Sequence, residues 1–315
     1  MMRYSELGNG LRISAIALGT VELGLHYGID AVGQASKPSQ QEAERLVKQA
    51  VECGINFLDT APTYGNSEAV LGRILSNFSD VVIATKVSVP RDADGAVLLG
   101  SALAEAIDAS LNNSCKALNR PTLDLVQIHN ATVPIIQQGE IASVLLRAKA
   151  KGQIRELGAS VYTEDEALAV ISSGVFASVQ VAYSVMDQRM GQRVFAAAKM
   201  ANVAVLARSA LLKGVLSARA EALPERLSAL RDAARQLKTA WNCTDWLTLT
   251  QKSLRFCLHN QNVQSVLVGL SSQLELSQAL AAWSAGPLSS DELKAADEVV
   301  FTDTQLLNPA TWGLP

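Results

Sequence analysis

The stretch that decides the fold is Asn56-Phe57-Leu58-Asp59-Thr60-Ala61-Pro62-Thr63-Tyr64-Gly65. Its first part is short and apolar and predicts a buried strand, after which Pro62 and Gly65 predict a turn-rich loop. Asp59 is therefore expected where the strand leaves the core, and Tyr64 in the loop just beyond it. Two titratable side chains, five positions apart, are thus predicted at the same edge of the fold.

Two further apolar strands end in the same way. Residues 81–85 predict a strand that is followed by Lys86, and residues 123–128 predict one that is followed by His129. In a parallel barrel the carboxyl ends of the strands lie on one face, and active sites are built on that face. The sequence therefore predicts that the side chains after these strands converge.

Strand and helix patterns alternate along the whole chain of 315 residues. The predicted strands are mostly apolar throughout, as expected when both faces of a sheet are buried, and they cover residues 11–18, 55–58, 81–85, 123–128, 154–160, 178–182, 203–207 and 263–269. We predict an α/β fold, a (β/α)8 TIM barrel, with residues 1–315 as a single domain and the active site at the carboxyl ends of the strands. A doubly wound fold would need Gly-x-Gly-x-x-Gly after its first strand, and the run Gly-Thr-Val-Glu-Leu-Gly at 19–24 has the wrong spacing.

Composition and charge argue against several classes of function. A net charge of −3 argues against nucleic acid or an anionic membrane as a partner. The four cysteines lack Cys-x-x-Cys spacing, which favours free thiols. Neither a signal-peptide core nor a membrane-length apolar run is present. We expect a soluble cytoplasmic protein without a metal site, and its oligomeric state stays open.

The motifs resemble those of the aldo-keto reductase superfamily over nearly the whole chain. Residues 59–72, which begin Asp-Thr-Ala-Pro-Thr-Tyr-Gly-Asn-Ser-Glu, are similar to that family's most specific motif. Ala-Thr-Lys at 84–86 and Asp-Leu-Val-Gln-Ile-His at 124–129 are similar to its next two. The resemblance implies a catalytic tetrad of Asp59, Tyr64, Lys86 and His129.

The chemistry of this set can also be argued from the residue types. Hydride addition to a carbonyl creates an alkoxide, which needs a proton and charge stabilisation as it forms. Tyr64 could supply the proton, although the pKa of a free tyrosine is about 10. A nearby ammonium lowers that pKa, and Lys86, held by an ion pair with Asp59, is expected to do so. His129 is expected to orient the carbonyl oxygen by a hydrogen bond.

The resemblance also implies contacts to a nicotinamide dinucleotide. Ser160 and Gln180 match two of the family's three partners of the nicotinamide amide, but Val161 replaces the usual asparagine. Arg208 and Ser209 stand where Tyr-Ser is commoner. An arginine there could contact the pyrophosphate, or it could be a surface charge at a strand end.

The first and eighth units complete the expected cofactor site. Gly19 and Thr20 end the first strand. After the last strand, Gly269, Ser271 and Ser272 lead into a helix whose N-terminal amides could bind phosphate, and Glu275 follows. Many NADP-preferring relatives have a basic residue at the position of Glu275. A carboxylate would repel a 2′-phosphate and could accept a hydrogen bond from a ribose hydroxyl, which tilts the expectation of NADP or NAD toward NAD. Alternatively, Glu275 is only a first-turn acid favoured by the helix dipole.

Three functions therefore remain open. The favoured one is an NAD(P)-dependent oxidoreductase that interconverts a small carbonyl compound (aldehyde, ketone or sugar) and an alcohol. A Schiff-base lyase that uses Lys86 is disfavoured because an ammonium beside Asp59 should stay protonated. The third is an ancillary subunit that binds a dinucleotide without fast turnover. The natural substrate stays open, and Trp312 in the C-terminal tail could cover the pocket or pack into the barrel wall.

Overall fold

Eight parallel strands form a closed barrel in the computed structural model, which describes residues 1–29, 37–76, 78–299 and 301–314. The strands along the chain are β1 (Tyr4–Leu7), β2 (Leu11–Ser14), β3 (Ile16–Gly19), β4 (Phe57–Asp59), β5 (Val82–Ser88), β6 (Leu123–His129), β7 (Ile154–Ser160), β8 (Ser178–Ala182), β9 (Ala204–Arg208) and β10 (Ser265–Gly269). The barrel order is β10-β3-β4-β5-β6-β7-β8-β9, and every neighbouring pair is parallel. The predicted (β/α)8 TIM barrel is confirmed.

Helices follow the barrel strands and cover the outside of the barrel. They are α1 (Val21–Gly24), α2 (Gln40–Glu52), α3 (Ser67–Ile74), α4 (Gly100–Leu118), α5 (Val133–Gln138), α6 (Glu140–Ala150), α7 (Glu164–Ser172), α8 (Arg193–Ala201), α9 (Ser228–Ala240), α10 (Trp246–Leu258), α11 (Gln273–Ser284) and α12 (Ser290–Asp297). All four cysteines are free. Within the described ranges, no helix is both long and apolar enough to cross a membrane.

The predicted first strand, residues 11–18, is wrong as one continuous element. Its first half is β2, which pairs antiparallel with β1, and only its second half, β3, enters the barrel. The apolar run hides this change of partner because residues on both sides of Ala15 are buried.

The hairpin of β1 and β2 closes the amino-terminal end of the barrel. Leu7, Leu11 and Ile13 are buried in the same apolar cluster as Phe57 and Leu125 from the barrel strands. Burying a leucine or isoleucine side chain contributes about 1.5–3 kcal/mol, so these three side chains fix the hairpin firmly under the barrel. The hairpin does not cover the opposite end of the barrel, where the carboxyl ends of the strands lie.

Candidate active site

A cavity of about 650 Å³ lies at the carboxyl ends of the barrel strands. This volume is in the range of small-molecule and cofactor sites. Most of the residues predicted from sequence line it: Gly19, Thr20, Asp59, Tyr64, His129, Ser160, Gln180, Arg208, Ser209, Gly269 and Glu275. Lys86 lies beneath the cavity, and Ser271 and Ser272 lie outside its lining.

The floor of the cavity holds a buried ion pair. The Lys86 ammonium donates to Asp59 Oδ2 at 2.5 Å and to the Thr60 carbonyl at 2.9 Å, and only 1% of the Lys86 side chain is exposed. Burial alone would lower the pKa of Lys86, but the net shift is upward, with the negative charge of Asp59 and the hydrogen bond to it acting against burial. Lys86 is therefore protonated at neutral pH and a poor nucleophile, which argues against the Schiff-base alternative.

Two glutamines complete the surroundings of Asp59. Gln127 and Gln180 donate their side-chain amides to Asp59 Oδ1 at 3.0 and 2.8 Å. The register of β5 and β6 places Gln127 directly beside Lys86. With three donors the Asp59 carboxylate has a single orientation, which also fixes the ammonium that it binds. Gln127 went unnoticed in the sequence because it sits inside an apolar strand motif.

Tyr64 is positioned by close packing of two loops. A Cβ at Gly24 would lie 1.7 Å from the Tyr64 carbonyl oxygen, and one at Gly65 would lie 2.6 Å from the Gly24 carbonyl oxygen. Beneath them, the Ser67 hydroxyl lies 2.8 Å from Thr20 Oγ1, which donates to the Asp59 carbonyl at 2.9 Å. Only glycine allows these contacts, so the loop that carries Tyr64 is held against the end of α1.

The environment of Tyr64 favours the protonated phenol. Its ring centroid lies 4.8 Å from the Lys86 ammonium. Burial raises the pKa of Tyr64 above its usual value of about 10, and the positive charge of Lys86 opposes this shift without cancelling it. The positive charge of Lys86 therefore lowers the pKa of Tyr64 as expected. Burial outweighs it, however, so the net pKa lies above 10 and not below it. At neutral pH the hydroxyl is a proton donor.

The side chain of His129 lies beside that of Tyr64. Its ring lies edge-on to that of Tyr64, with centroids 6.2 Å apart and planes at 86°. Burial, reinforced by the positive charge of Lys86, lowers the pKa of His129 to about 4. The imidazole is thus neutral at neutral pH, and one ring nitrogen carries a hydrogen that can be donated.

The expected nicotinamide contacts lie on adjacent strands. Ser160 and Gln180 both line the cavity, whereas Val161 is fully buried and does not. The Arg208 guanidinium lies over the Tyr162 ring at 4.5 Å and donates to the Val161 carbonyl at 3.0 Å. Arg208 therefore occupies a fixed, stacked position at the cavity wall.

Many polar groups at the start of α11 already have hydrogen-bond partners within the protein. The Ser272 hydroxyl accepts from the Glu275 amide at 3.2 Å, which caps the helix. Glu275 Oε2 accepts from the amide and hydroxyl of Ser271 at 2.7 and 2.9 Å, and Oε1 accepts from Arg219 at 3.1 Å. Glu275 lines the cavity with both carboxylate oxygens already paired.

Sequence reasoning missed several residues of the cavity, because they lie in loops or in the single turn of α1, which are too short or irregular to show a periodic pattern. Glu22 and Tyr27 follow the first barrel strand, and Lys213 follows β9. From the C-terminal tail, Pro309, Ala310 and Leu314 line the cavity. Trp312 does not; its side chain is buried and its ring nitrogen donates to the Leu306 carbonyl at 2.9 Å. Of the two predictions for Trp312, packing into the wall is the one that fits.

The model of the Aldo/keto reductase family matches residues 15–300. The chain belongs to this family. Its members are oxidoreductases that act on carbonyl compounds and sugars and use NAD(P)H in general. The match spans all eight barrel strands, and it covers the cavity lining except for the tail residues Pro309, Ala310 and Leu314.

Two relatives match most of the chain at low sequence identity. The chain is 26% identical to an uncharacterised oxidoreductase of Bacillus subtilis, over 93% of this chain and 95% of that protein. It is 28% identical to L-galactose dehydrogenase of Arabidopsis thaliana, over 88% of this chain and 86% of that enzyme. The fold is also similar to the holo form of the aldo-keto reductase AKR11C1 from Bacillus halodurans, with a TM-score of 0.78, 24% identity, and coverage of 97% and 100% of the two chains.

Proposed function

We propose that this member of the family is an NAD(P)-dependent oxidoreductase that interconverts a small carbonyl compound and its alcohol, with Tyr64 as the general acid and base. The observation that supports this most strongly is the buried pair of Lys86 and Asp59, which sits under Tyr64 and His129 at the floor of a ligand-sized cavity.

The residues divide the reaction between them. A bound nicotinamide supplies the hydride for reduction or takes it up for oxidation. As a carbonyl carbon gains hydride, its oxygen becomes an alkoxide, and the protonated hydroxyl of Tyr64 gives that oxygen its proton. The ammonium of Lys86, 4.8 Å from the ring, stabilises the phenolate that remains. Neutral His129 donates a hydrogen bond to the same oxygen and orients it. Oxidation of an alcohol runs these proton transfers in reverse.

The lining suits a nicotinamide dinucleotide. Gly19 and Gly269 are paired at the ends of adjacent strands, with a Cβ at Gly19 only 3.3 Å from the Gly269 amide nitrogen, and both line the cavity. Ser160 and the oxygen of Gln180, whose amide nitrogen is bound to Asp59, would hold the nicotinamide amide. Arg208, Ser209 and Arg219 provide donors for the negatively charged middle of the molecule. The carboxylate of Glu275 favours NAD over NADP because it would repel a 2′-phosphate. Its ion pair with Arg219 offsets the positive charge of that arginine.

A hydroxylated carbonyl compound, such as a small sugar, is the substrate class that we favour. Tyr27, Asn130, Tyr162 and Lys213 give the cavity polar groups in addition to those of the proposed catalytic set. Hydroxyl groups on a substrate would find partners there, whereas an aliphatic chain would leave those groups unpaired at a cost. The distant likeness to L-galactose dehydrogenase agrees with this class.

Cofactor titration is the first test. Trp246 lines the cavity, so quenching of tryptophan fluorescence by NADH and NADPH should report binding. We expect saturable binding of both, tighter for NADH, and then oxidation of bound NADH on addition of glyceraldehyde, with L-galactose tested with NAD for the reverse direction. Absence of binding by either dinucleotide would overturn the proposed function. Binding without turnover on a broad set of carbonyl compounds would favour the ancillary-subunit alternative.

A further inference from the structure

Glu22 has an unusual position in the cavity. It lies directly after the first barrel strand, in α1, and lines the cavity wall. Its Oε2 atom is buried and has no hydrogen-bond partner within the described part of the chain. A Cβ at Gly269 would lie 2.2 Å from Glu22 Oε1, so the carboxyl group occupies the space that any side chain at position 269 would need.

The Oε2 atom of a carboxylate in this position is unsatisfied until something donates to it. A buried charge without a partner costs free energy. Such a group either takes up a proton or is stabilised by a ligand that donates a hydrogen bond to it. Burial, with a smaller contribution from the negative charge of Glu275, raises the pKa of Glu22 to about 7. The facing groups on other elements are Glu275 and Arg219, and the Tyr27 phenol lies close on the same loop. The charge of Arg219, which is paired with Glu275, lowers the pKa of Glu22, but by less than burial raises it.

We propose that Glu22 is a specificity-determining residue for the dinucleotide, whose carboxylate accepts a hydrogen bond from a ribose hydroxyl and disfavours a phosphorylated ribose. The proposal rests on the proposed function, since it concerns the same cavity. It differs from the earlier assignment of cofactor preference to Glu275, because Glu275 has partners for both oxygens and Glu22 Oε2 has none.

Glu22 distinguishes a ribose hydroxyl from a 2′-phosphate by hydrogen bonding and by charge. A hydroxyl brings a donor and no charge, so it satisfies Glu22 in its ionised form. A 2′-phosphate brings about two negative charges and no donor when ionised, and the carboxylates of Glu22 and Glu275 repel it while the charge of Arg219 attracts it. The same carboxylate therefore favours NADH and disfavours NADPH.

Proton linkage follows from the same contact. A ligand that binds the ionised form of Glu22 releases a proton when it binds below the pKa of that group. The affinity for NADH is therefore expected to fall as the pH drops below about 7, by up to tenfold per pH unit, and to be constant above about 8.

The test compares the wild type with Glu22→Gln by fluorescence titration with NADH and NADPH from pH 5.5 to 8.5. Calorimetry in two buffers of different ionisation enthalpy then counts the protons exchanged. For the variant at pH 8 we expect about tenfold weaker binding of NADH, stronger binding of NADPH, and loss of the step in affinity near pH 7. The control is Glu105→Gln, an equal change of charge at an exposed residue of α4, which should leave all three readouts unchanged.

Two results would overturn the role of Glu22 and leave the proposed function intact. One is proton uptake on NADH binding by the wild type, which would mean that Glu22 faces a negative group of the cofactor. The other is the same pH profile of affinity in Glu22→Gln, as expected if Glu22 only supports the loop. Failure of the wild type to bind either dinucleotide would overturn both proposals.

Discussion

Replacing Lys86 by methionine should lower both stability and activity. Methionine nearly preserves the volume of the lysine but leaves Asp59, which is 3% exposed, without its cation. Removing one partner of a buried ion pair costs about 3–5 kcal/mol, and the amides of Gln127 and Gln180 that still bind Asp59 favour the lower end of that range. With an unfolding entropy of about 2.1 cal/mol/K per residue, the melting temperature should fall by about 5–8 °C for 315 residues.

The matched control is Lys48→Met. Lys48 binds Glu44 at 2.6 Å, nearly the separation in the buried pair, but both side chains are 45% exposed. Exposed pairs contribute about 0–1 kcal/mol, so its melting temperature should fall by less than about 2 °C. Both variants are measured by thermal unfolding, followed by NADH binding and carbonyl reduction. Equal melting temperatures for the two variants would refute the reasoning that burial gives the Lys86 pair its importance.

Further changes test the remaining parts of the site. Burial holds the pKa of His129 near 4, below the value of about 6.5 expected in the unfolded chain. Its contribution to stability should therefore be complete above about pH 6.5 and be lost as the pH falls toward 4; NMR titration of His129 should show no protonation at pH 6. Gly24→Ala should destabilise the fold by about 1–3 kcal/mol and lower kcat, because the added Cβ meets the Tyr64 carbonyl. Gly191→Ala, whose Cβ would meet nothing closer than 4.0 Å, should change stability by less than about 0.5 kcal/mol; chemical denaturation compares the two, and equal effects would contradict the loop packing.

The barrel was predictable because its strands are buried on both faces. Such strands are short continuous apolar runs, and the helices between them have their own period, so residues 55–58 and 123–128 stood out. The N-terminal hairpin was not predictable on this basis. Burial on both sides of Ala15 gives one apolar run, and nothing local marks the point where antiparallel pairing to β1 gives way to the barrel.

The candidate site was predictable where it is attached to strands. Asp59, Lys86 and His129 follow apolar runs, so topology alone brings them together. Glu22 lies in the one-turn helix α1 and Tyr27 in the segment after it, and the path of both depends on long-range packing, such as the contact of Glu22 with Gly269. The pKa of Tyr64 depends on the balance between burial and the charge of Lys86, and a list of neighbouring residue types does not give that balance.

Proton transfer by Tyr64 is best tested by a single-turnover experiment with Tyr64→Phe. NADH is bound first, its affinity is measured by fluorescence quenching, and glyceraldehyde is then added while NADH absorbance is followed. We expect an affinity within about twofold of the wild type, since the change removes only a hydroxyl, and a rate of NADH oxidation at least about 100-fold lower. A variant that binds NADH and oxidises it at nearly the wild-type rate would contradict the assignment of Tyr64 as the proton donor.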